Sequence, residues 1–189
     1  NRHFNIVGGG LSGALLAILL AQRGYAVDVY ERRADPRLNE LDAGRSINLA
    51  LAARGLVALR TAGLLPRLTP LLIAMRGRMI HEPGEPDQLL PYGSRDHEVI
   101  WSVSRSGLNR ALIEVAADCA GVRWHFNAQC TAVDFAAGTL SFAAHAGQPA
   151  RTIPLATTIA TDGAGSVLRH ALVAAGHSSA REDLLDHDY

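Results

Sequence analysis

Lysine is absent from the 189-residue chain, so all 18 basic residues are arginine, and 18 acidic residues balance them to a net charge of zero. Proteins that bind nucleic acid normally carry a clear basic excess, so this balance argues against that class. Aromatic residues are also scarce, at 5%, but 48% hydrophobic and 19% charged residues are typical of a globular protein. The length suits one domain, or a domain with a small appendage.

Cysteine is nearly absent as well. Cys119 and Cys130 are too few for a disulfide scaffold, which favours a reducing cytoplasm as the location. Neither cysteine has metal-ligand spacing around it, and no two histidines are four residues apart, so we expect no metal site. The apolar run Leu11–Ala21 is shorter than the roughly 20 residues that cross a bilayer, so we expect no membrane span.

The first thirty residues predict a β-α-β unit. A short apolar run at 4–7 stops at three glycines, residues 11–23 are typical of a helix, and the β-rich run 26–30 closes at Glu31. This arrangement is the first unit of a nucleotide-binding fold.

The glycine turn, residues 8–13, fits the dinucleotide-binding pattern G-x-G-x-x-G. Gly8 permits the tight turn, Gly10 lets the backbone approach a pyrophosphate, and Gly13 allows close packing of helix on strand. The helix N-terminus offers free N–H donors, and Glu31 at the tip of the second strand can accept hydrogen bonds from ribose hydroxyls. An acid at this point favours FAD or NAD over NADP, whereas a glycine-rich turn without a ligand is the plainer interpretation.

Later segments extend the α/β pattern. Residues 47–63 have helical spacing, residues 66–104 contain short apolar runs typical of a small antiparallel sheet, and a helix is expected at 106–120 after a cap at Ser104 or Ser106. Four further strands and a last helix are expected at 122–126, 131–135, 139–144, 152–160 and 167–175. We therefore predict a Rossmann-type, three-layer α/β fold that binds FAD or NAD(P), with part of a β-rich substrate domain.

A second segment favours a flavin over a nicotinamide cofactor. Residues 157–166 read as a strand that stops at Asp162-Gly163 and is followed by small residues and a helix cap at Ser166. Flavoproteins of this type supply such an Asp-Gly turn, although an ordinary turn has the same composition.

Several segments together resemble the kynurenine 3-monooxygenase family of FAD-dependent aromatic hydroxylases. They are residues 44–51, 75–81, 91–93, 102–105 with 108–109, and 125–127. The resemblance implies an enzyme that binds FAD, consumes NADPH and O₂, and places one oxygen atom on C3 of L-kynurenine, a small aromatic amino acid.

The resemblance also implies roles for particular residues. Arg78 and Tyr92 match the pair that holds the substrate carboxylate, where a guanidinium can bind bidentately and a phenol adds an oriented donor. Arg105 and Asn109 match positions beside the flavin. The cofactor-binding positions expected from the glycine motif and the resemblance together are Gly8, Gly10, Leu11, Ser12, Gly13, Glu31, Arg32, Arg45, Ala50, Arg105, Asn109, Cys130 and Asp162.

Family members are about twice as long, so the resemblance implies an N-terminal fragment that lacks a later Gly-Asp segment and is itself inactive. We expect a discontinuous FAD-binding domain at 1–70 and 105–176, part of a substrate-binding sheet at 71–104, and a crossover at 177–189. Two alternatives stay open: a nicotinamide-dependent oxidoreductase, and an inactive nucleotide-binding module. A serine hydrolase is disfavoured, because residues 10–14 lack the last glycine of G-x-S-x-G.

Overall fold

The computed structural model describes residues 2–38, 47–95, 97–145 and 149–183, and all structural statements below concern these ranges. The predicted crossover at 177–189 is thus described only as far as Asp183. The strands are β1 (His3–Val7), β2 (Ala26–Tyr30), β3 (Asn48–Leu51), β4 (Ile73–Met75), β5 (Gly77–Ile80), β6 (Gln88–Pro91), β7 (Ile100–Ser104), β8 (Val122–His125), β9 (Cys130–Asp134), β10 (Thr139–Phe142), β11 (Arg151–Pro154) and β12 (Thr158–Ala160). The helices are α1 (Leu11–Ala21), α2 (Ala53–Thr61), α3 (Leu65–Leu68), α4 (Arg105–Asp118) and α5 (Val167–Ala174), with one 3₁₀ turn at Thr69–Leu71.

A four-stranded parallel sheet with the order β12-β1-β2-β8 forms the centre of the fold. The predicted β-α-β unit is confirmed, because β1 and β2 are parallel neighbours and α1 connects them. All four carboxyl ends lie at one edge of the sheet, which is where open α/β sheets bind their ligands.

One face of this sheet is covered by α1 and α4. Val27 and Val29 of β2 lie in the same buried cluster as Ile18 of α1 and Leu112 of α4. Strand side chains alternate between faces, so Asp28, between the two valines, and Tyr30, after them, turn to the opposite side of the sheet. The apolar pattern of β2 therefore sets which face receives the helices.

The other face is covered by the antiparallel sheet β11-β10-β9. Tyr30 of β2 stacks on Phe142 of β10, with ring centroids 4.7 Å apart, inside a second buried cluster that includes Leu140 and Leu168. Helices, parallel sheet and antiparallel sheet form three layers, which confirms the predicted fold class.

Two small sheets complete the described structure. Strands β3, β7 and β4 form an antiparallel sheet in that order, and β5 and β6 form a hairpin. No helix in the described ranges is long and apolar enough to cross a membrane.

The single helix expected at 47–63 is wrong. Residues 48–51 form β3, in which Leu49 and Leu51 are half-buried while Asn48 and Ala50 are exposed, and only Ala53–Thr61 is helical. The period of two belongs to a strand, and pairing with β7, some fifty residues away, outweighs the local helical spacing.

The single strand expected at 152–160 is also wrong. It divides into β11, which pairs with β10, and β12, which pairs with β1. Ala156 between them has a φ of +44°, which interrupts extended backbone. The Asn5 side chain donates to the carbonyls of Pro154 and Leu155 and holds this crossing of the chain between two layers.

Candidate functional site

The glycine turn follows β1 directly at the carboxyl edge of the parallel sheet. Gly8 has a φ of +106°, and its N–H donates to the carbonyl of Tyr30 at 2.8 Å, so the turn is tied to the end of β2. Side chains are strained at this φ, which explains glycine at the position. At Gly13, a Cβ atom would collide with the carbonyl oxygen of Gly8 and with Oγ1 of Thr161, so helix and turn approach as closely as glycine allows.

Gly10 differs from Gly13 because open space surrounds it. A Cβ added there would meet no atom within 4 Å, and Gly10 has an ordinary negative φ of −69°. Among the described side chains none caps α1, whose first residues are Leu11 and Ser12. Backbone N–H groups of the first helical turn are therefore available to an anionic ligand beside Gly10.

Glu31 lies immediately after β2 and next to the glycine turn. Its Oε2 accepts a hydrogen bond from the Gly9 N–H at 2.6 Å, and its Oε1 accepts one from the Arg33 N–H at 3.0 Å. The carboxylate is thus oriented by backbone donors and half-exposed to solvent. Arg32, beside it, is exposed.

Gly9, in the glycine turn, packs against Trp124 of β8, and the spacing of the glycine motif gave no sign of this contact. A Cβ on Gly9 would lie 2.8 Å from Cζ3 of Trp124 and 3.0 Å from Cβ of Glu31, so Gly9 is enclosed between the two side chains. Trp124 was missed because β8 becomes a neighbour of β2 only in the folded sheet.

The Asp-Gly turn lies beside the glycine turn, because β12 is the parallel neighbour of β1. Oδ1 of Asp162 accepts from Ser166 Oγ at 2.6 Å and Oδ2 accepts from the Val167 N–H at 2.9 Å, so the carboxylate orders the start of α5. Ser166 caps this helix, as expected, by accepting from the Arg169 N–H at 3.0 Å. Thr161 links the two turns by donating to the Gly8 carbonyl at 2.7 Å.

The start of α4 supplies the next group of expected cofactor residues. Ser104 caps the helix by accepting from the Gly107 N–H at 3.2 Å, and Arg105 stands exposed in the first turn. Oδ1 of Asn109, one turn later, is buried and has no hydrogen-bond partner in the described structure. A buried carbonyl oxygen without a donor costs free energy, so this atom can accept a hydrogen bond from a donor outside the described structure. Ala50 is exposed on β3, the strand that pairs with β7 just before Arg105.

Cys130 begins β9 and is buried, and its Sγ contacts the Ala132 carbonyl oxygen at 3.8 Å. Burial raises the pKa of its thiol, and the nearby charge of Asp162 raises the pKa further. A raised pKa lowers the fraction of the Cys130 side chain that is present as the reactive thiolate. Arg45 lies outside the described residues.

The expected substrate residues lie on the hairpin β5/β6. Arg78 pairs with Leu90, and the Tyr92 N–H donates to the Arg76 carbonyl at 2.9 Å, which extends the ladder beyond β6. Arg78 and Tyr92 are therefore diagonal neighbours on one face, and both are exposed. Their separation of 14 residues in sequence becomes a short distance across the hairpin.

A buried ionic cluster lies outside these sites. Asp28 on β2 is 4% exposed and accepts two hydrogen bonds from Arg123, at 3.0 and 2.7 Å, and contacts His3 at 2.5 Å and His125 at 2.6 Å. Burial alone raises the pKa of Asp28, but hydrogen bonds from Arg123, His125 and His3 outweigh it and lower the pKa to about 2. Sequence reasoning missed this cluster, whose members come from β1, β2 and β8. Across the described ranges no group of three or more His, Cys, Asp or Glu side chains is placed to hold a metal ion.

The residues at the sheet edge fit a dinucleotide. Space at Gly10 and an uncapped helix suit a pyrophosphate, and the oriented carboxylate of Glu31 suits ribose hydroxyls. The unpartnered oxygen of Asn109 suits a donor on the ligand. The arrangement offers groups that can bind and orient such a ligand.

Comparisons with known proteins agree with this geometry. A family model described as NAD(P)-binding Rossmann-like domain matches residues 6–57. A curated protein of Xanthomonas oryzae pv. oryzae (strain MAFF 311018), named kynurenine 3-monooxygenase, is 47% identical over 189 residues, which are all of this chain and 41% of that protein.

Solved structures share the fold. Two of them are the structures of p-nitrophenol 4-monooxygenase PnpA from Pseudomonas putida DLL-E4 and of P. aeruginosa PqsL in complex with 2-aminobenzoylacetate. PnpA aligns with a TM-score of 0.70 at 20% identity, covering 91% of this chain and 44% of that one. PqsL aligns with a TM-score of 0.68 at 23% identity, covering 100% of this chain and 48% of that one.

The predicted resemblance to kynurenine 3-monooxygenases is thus confirmed, and it covers the whole of this chain. Curated relatives at 44–47% identity match the whole of this chain, and the chain spans about two-fifths of their length. The chain is a homologue, over its full length, of the kynurenine 3-monooxygenases.

Proposed function

We propose that the chain supplies the FAD-binding part, and one wall of the substrate site, of a monooxygenase that hydroxylates L-kynurenine with NADPH as the reductant. The observation that carries the proposal is the edge of the parallel sheet, where the open space at Gly10, the uncapped start of α1 and the oriented Glu31 carboxylate meet. Relatives named kynurenine 3-monooxygenase support the choice of reaction.

In this proposal the first turn of α1 and the glycine turn bind the pyrophosphate, and Glu31 binds the ribose next to adenine. Arg105 and Asn109 line the cofactor from α4, with Ala50 and Cys130 contributing backbone atoms and Asp162 orienting the second turn. Arg32 and Arg45 complete the set of residues that we propose bind the cofactor. Bound FAD would supply the redox chemistry that activates O₂, which no side chain can supply.

The substrate role falls to Arg78 and Tyr92. A guanidinium and a phenol hydroxyl on one hairpin face can hold a carboxylate by charge-assisted hydrogen bonds and so orient the aromatic ring. Both groups are solvent-exposed in the described structure, and they would hold a carboxylate more strongly where further surface excludes water from it.

The proposal also includes a division of the chain into domains and a cellular location. The proposed domain division is 1–70 with 105–176, 71–104 and 177–189. It is supported by α2 and α3, which share the buried cluster of α1 and α4, and by the separate hairpin β5/β6. The sheet β3-β7-β4 joins strands from both sides of the boundary near residue 70. A cytoplasmic location is supported by Cys119 and Cys130, which are both free thiols.

The test uses the protein expressed from its complete gene. We expect it to purify with bound FAD, to oxidise NADPH faster when kynurenine is present, and to form 3-hydroxykynurenine. Arg78→Ala should raise the KM for kynurenine, while Arg60→Ala, at an exposed position on α2, serves as the control. Purification with a nicotinamide instead of a flavin, or FAD binding without a hydroxylated product, would contradict the proposal.

A further inference from the structure

The register of the hairpin β5/β6 divides its exposed side chains between two faces. The aligned pairs are Arg78 with Leu90, Met79 with Leu89, and Ile80 with Gln88. Directly opposed residues of an antiparallel pair lie on one face, and the next pair lies on the other. Leu90 therefore shares a face with Arg78, and Leu89 does not.

The hairpin face that carries Arg78 has both polar and apolar side chains close together. Tyr92 continues this face beyond β6, since its N–H bonds to the carbonyl of Arg76. Leu90 lies directly across from Arg78, and opposed Cβ atoms are about 4.5–5.5 Å apart. A cation, a phenol and an aliphatic side chain thus adjoin one another.

None of these groups is covered by the described structure. Leu90 is 40% exposed and Tyr92 is 44% exposed, and Arg78 is exposed beside them. A ligand with a carboxylate alone would leave Leu90 in water, and a purely apolar ligand would leave the guanidinium unpaired. The surface matches a molecule that has both a carboxylate and an apolar ring a short chain away.

We infer that Leu90 is a specificity-determining residue that packs against the aromatic ring of the substrate whose carboxylate binds Arg78 and Tyr92. The inference rests on the proposed function and adds to it the selection of aromatic over aliphatic amino acids. Leu90 acts through apolar contact and takes no part in the chemical step, so its loss raises KM and leaves kcat nearly unchanged.

Leu89 provides a matched control. It is the same residue type, one position away, and is 54% exposed on the opposite face across from Met79. A glutamate at position 90 would face the Arg78 guanidinium and compete with the substrate carboxylate, whereas a glutamate at position 89 would not.

The experiment compares Leu90→Glu, Leu90→Asn, Leu89→Glu and Leu89→Asn in the FAD-containing protein expressed from the complete gene. Steady-state kinetics gives KM and kcat for kynurenine, and calorimetric titration gives its Kd without turnover. We expect Leu90→Glu to raise KM and Kd by more than about tenfold and Leu90→Asn by about fivefold, with kcat within about twofold. Both Leu89 variants should stay within about twofold of wild type, and equal flavin content and melting temperature should verify folding.

The outcomes separate the two proposals. Equal effects at positions 89 and 90, or no effect at position 90 while Arg78→Ala raises KM, would overturn the role of Leu90 and leave the substrate site standing. No effect of Arg78→Ala would overturn the substrate site itself. If Leu90→Glu does not fold, Leu90→Asn decides, because a wild-type KM in that folded variant would overturn the inference.

Discussion

The Oε2 atom of Glu31 accepts a 2.6 Å hydrogen bond from the backbone N–H of Gly9, so the acid that ends β2 is joined to the glycine turn that ends β1. The two residues are 22 positions apart in sequence and meet because β1 and β2 are parallel neighbours. This contact orients an acidic oxygen beside the open space at Gly10, and the account of cofactor binding depends on it.

Glu31→Gln should weaken FAD binding. The substitution keeps the size of the side chain but removes its charge and replaces one acceptor by a donor, so hydrogen bonds to ribose hydroxyls are lost. We expect the Kd for FAD to rise by about 10–100-fold, which corresponds to the loss of about one charge-assisted hydrogen bond. Fluorescence titration of the apoprotein measures this, with Glu114→Gln on α4 as the control. An unchanged Kd in Glu31→Gln would remove Glu31 from the site.

Gly13→Ala should lower the stability of the fold, whereas Gly10→Ala should lower the affinity for FAD and leave stability nearly unchanged. A Cβ at position 13 meets backbone, so the turn must shift, and we expect a loss of about 1–3 kcal/mol in the free energy of unfolding. A Cβ at position 10 meets nothing and suits the local φ, so stability should change by less than about 0.5 kcal/mol. The same methyl group would intrude on a pyrophosphate, and FAD affinity should fall.

Denaturant unfolding and FAD titration of both glycine variants test the pair together. Wild-type FAD affinity in Gly10→Ala would mean that the open space is not part of the site. Wild-type stability in Gly13→Ala would contradict the close packing of α1 on the two turns.

Asn109→Leu should weaken FAD binding without lowering the stability of the apoprotein. Oδ1 of Asn109 lacks a protein partner in the described structure, so replacing the amide by an apolar group of similar size removes no protein hydrogen bond to this oxygen. We expect the melting temperature of the apoprotein to be maintained, while FAD adds less to it than it adds to the wild type. A variant that is destabilised without FAD and stabilised normally by FAD would show that the amide serves the fold instead.

Asp28→Asn should cost stability in a pH-dependent manner. Hydrogen bonds from Arg123, His125 and His3 lower the pKa of Asp28 from 3.8 to about 2 against the opposing effect of burial. A carboxyl whose pKa is lower in the folded state stabilises the fold above its unfolded pKa and loses this contribution as the pH falls towards the folded pKa. The variant should therefore be about 2–3 kcal/mol less stable at pH 7, and the difference should shrink between about pH 4 and pH 2.

Denaturant unfolding of wild type and Asp28→Asn across this pH range measures the difference directly, with the exposed Asp118→Asn as the control. A difference that stays constant from pH 7 to pH 2 would show that the charge of Asp28 does not stabilise the sheet.

Local pattern was sufficient to predict the β-α-β unit, the cap at Ser166 and, as one of two candidates, the cap at Ser104, because each depends on neighbouring residues. It was insufficient where distant pairing decides the structure. Residues 48–51 have helical spacing but pair with β7, and Asp28 stands between two valines with no local sign of its partners 25–97 residues away. At the site, the open turn at Gly10 and the acid after β2 could be predicted from the motif, whereas Thr161 and Trp124 reach the turn only through the order of the parallel sheet.

The most direct test of the central claim is mass spectrometry of the product formed from kynurenine under oxygen-18 gas by the FAD-containing protein and NADPH. A flavin-dependent monooxygenase takes one oxygen atom from O₂, so we expect 3-hydroxykynurenine that carries the heavy isotope in its new hydroxyl group. A product whose hydroxyl oxygen comes from water, or no hydroxylated product from protein with bound FAD, would contradict the account.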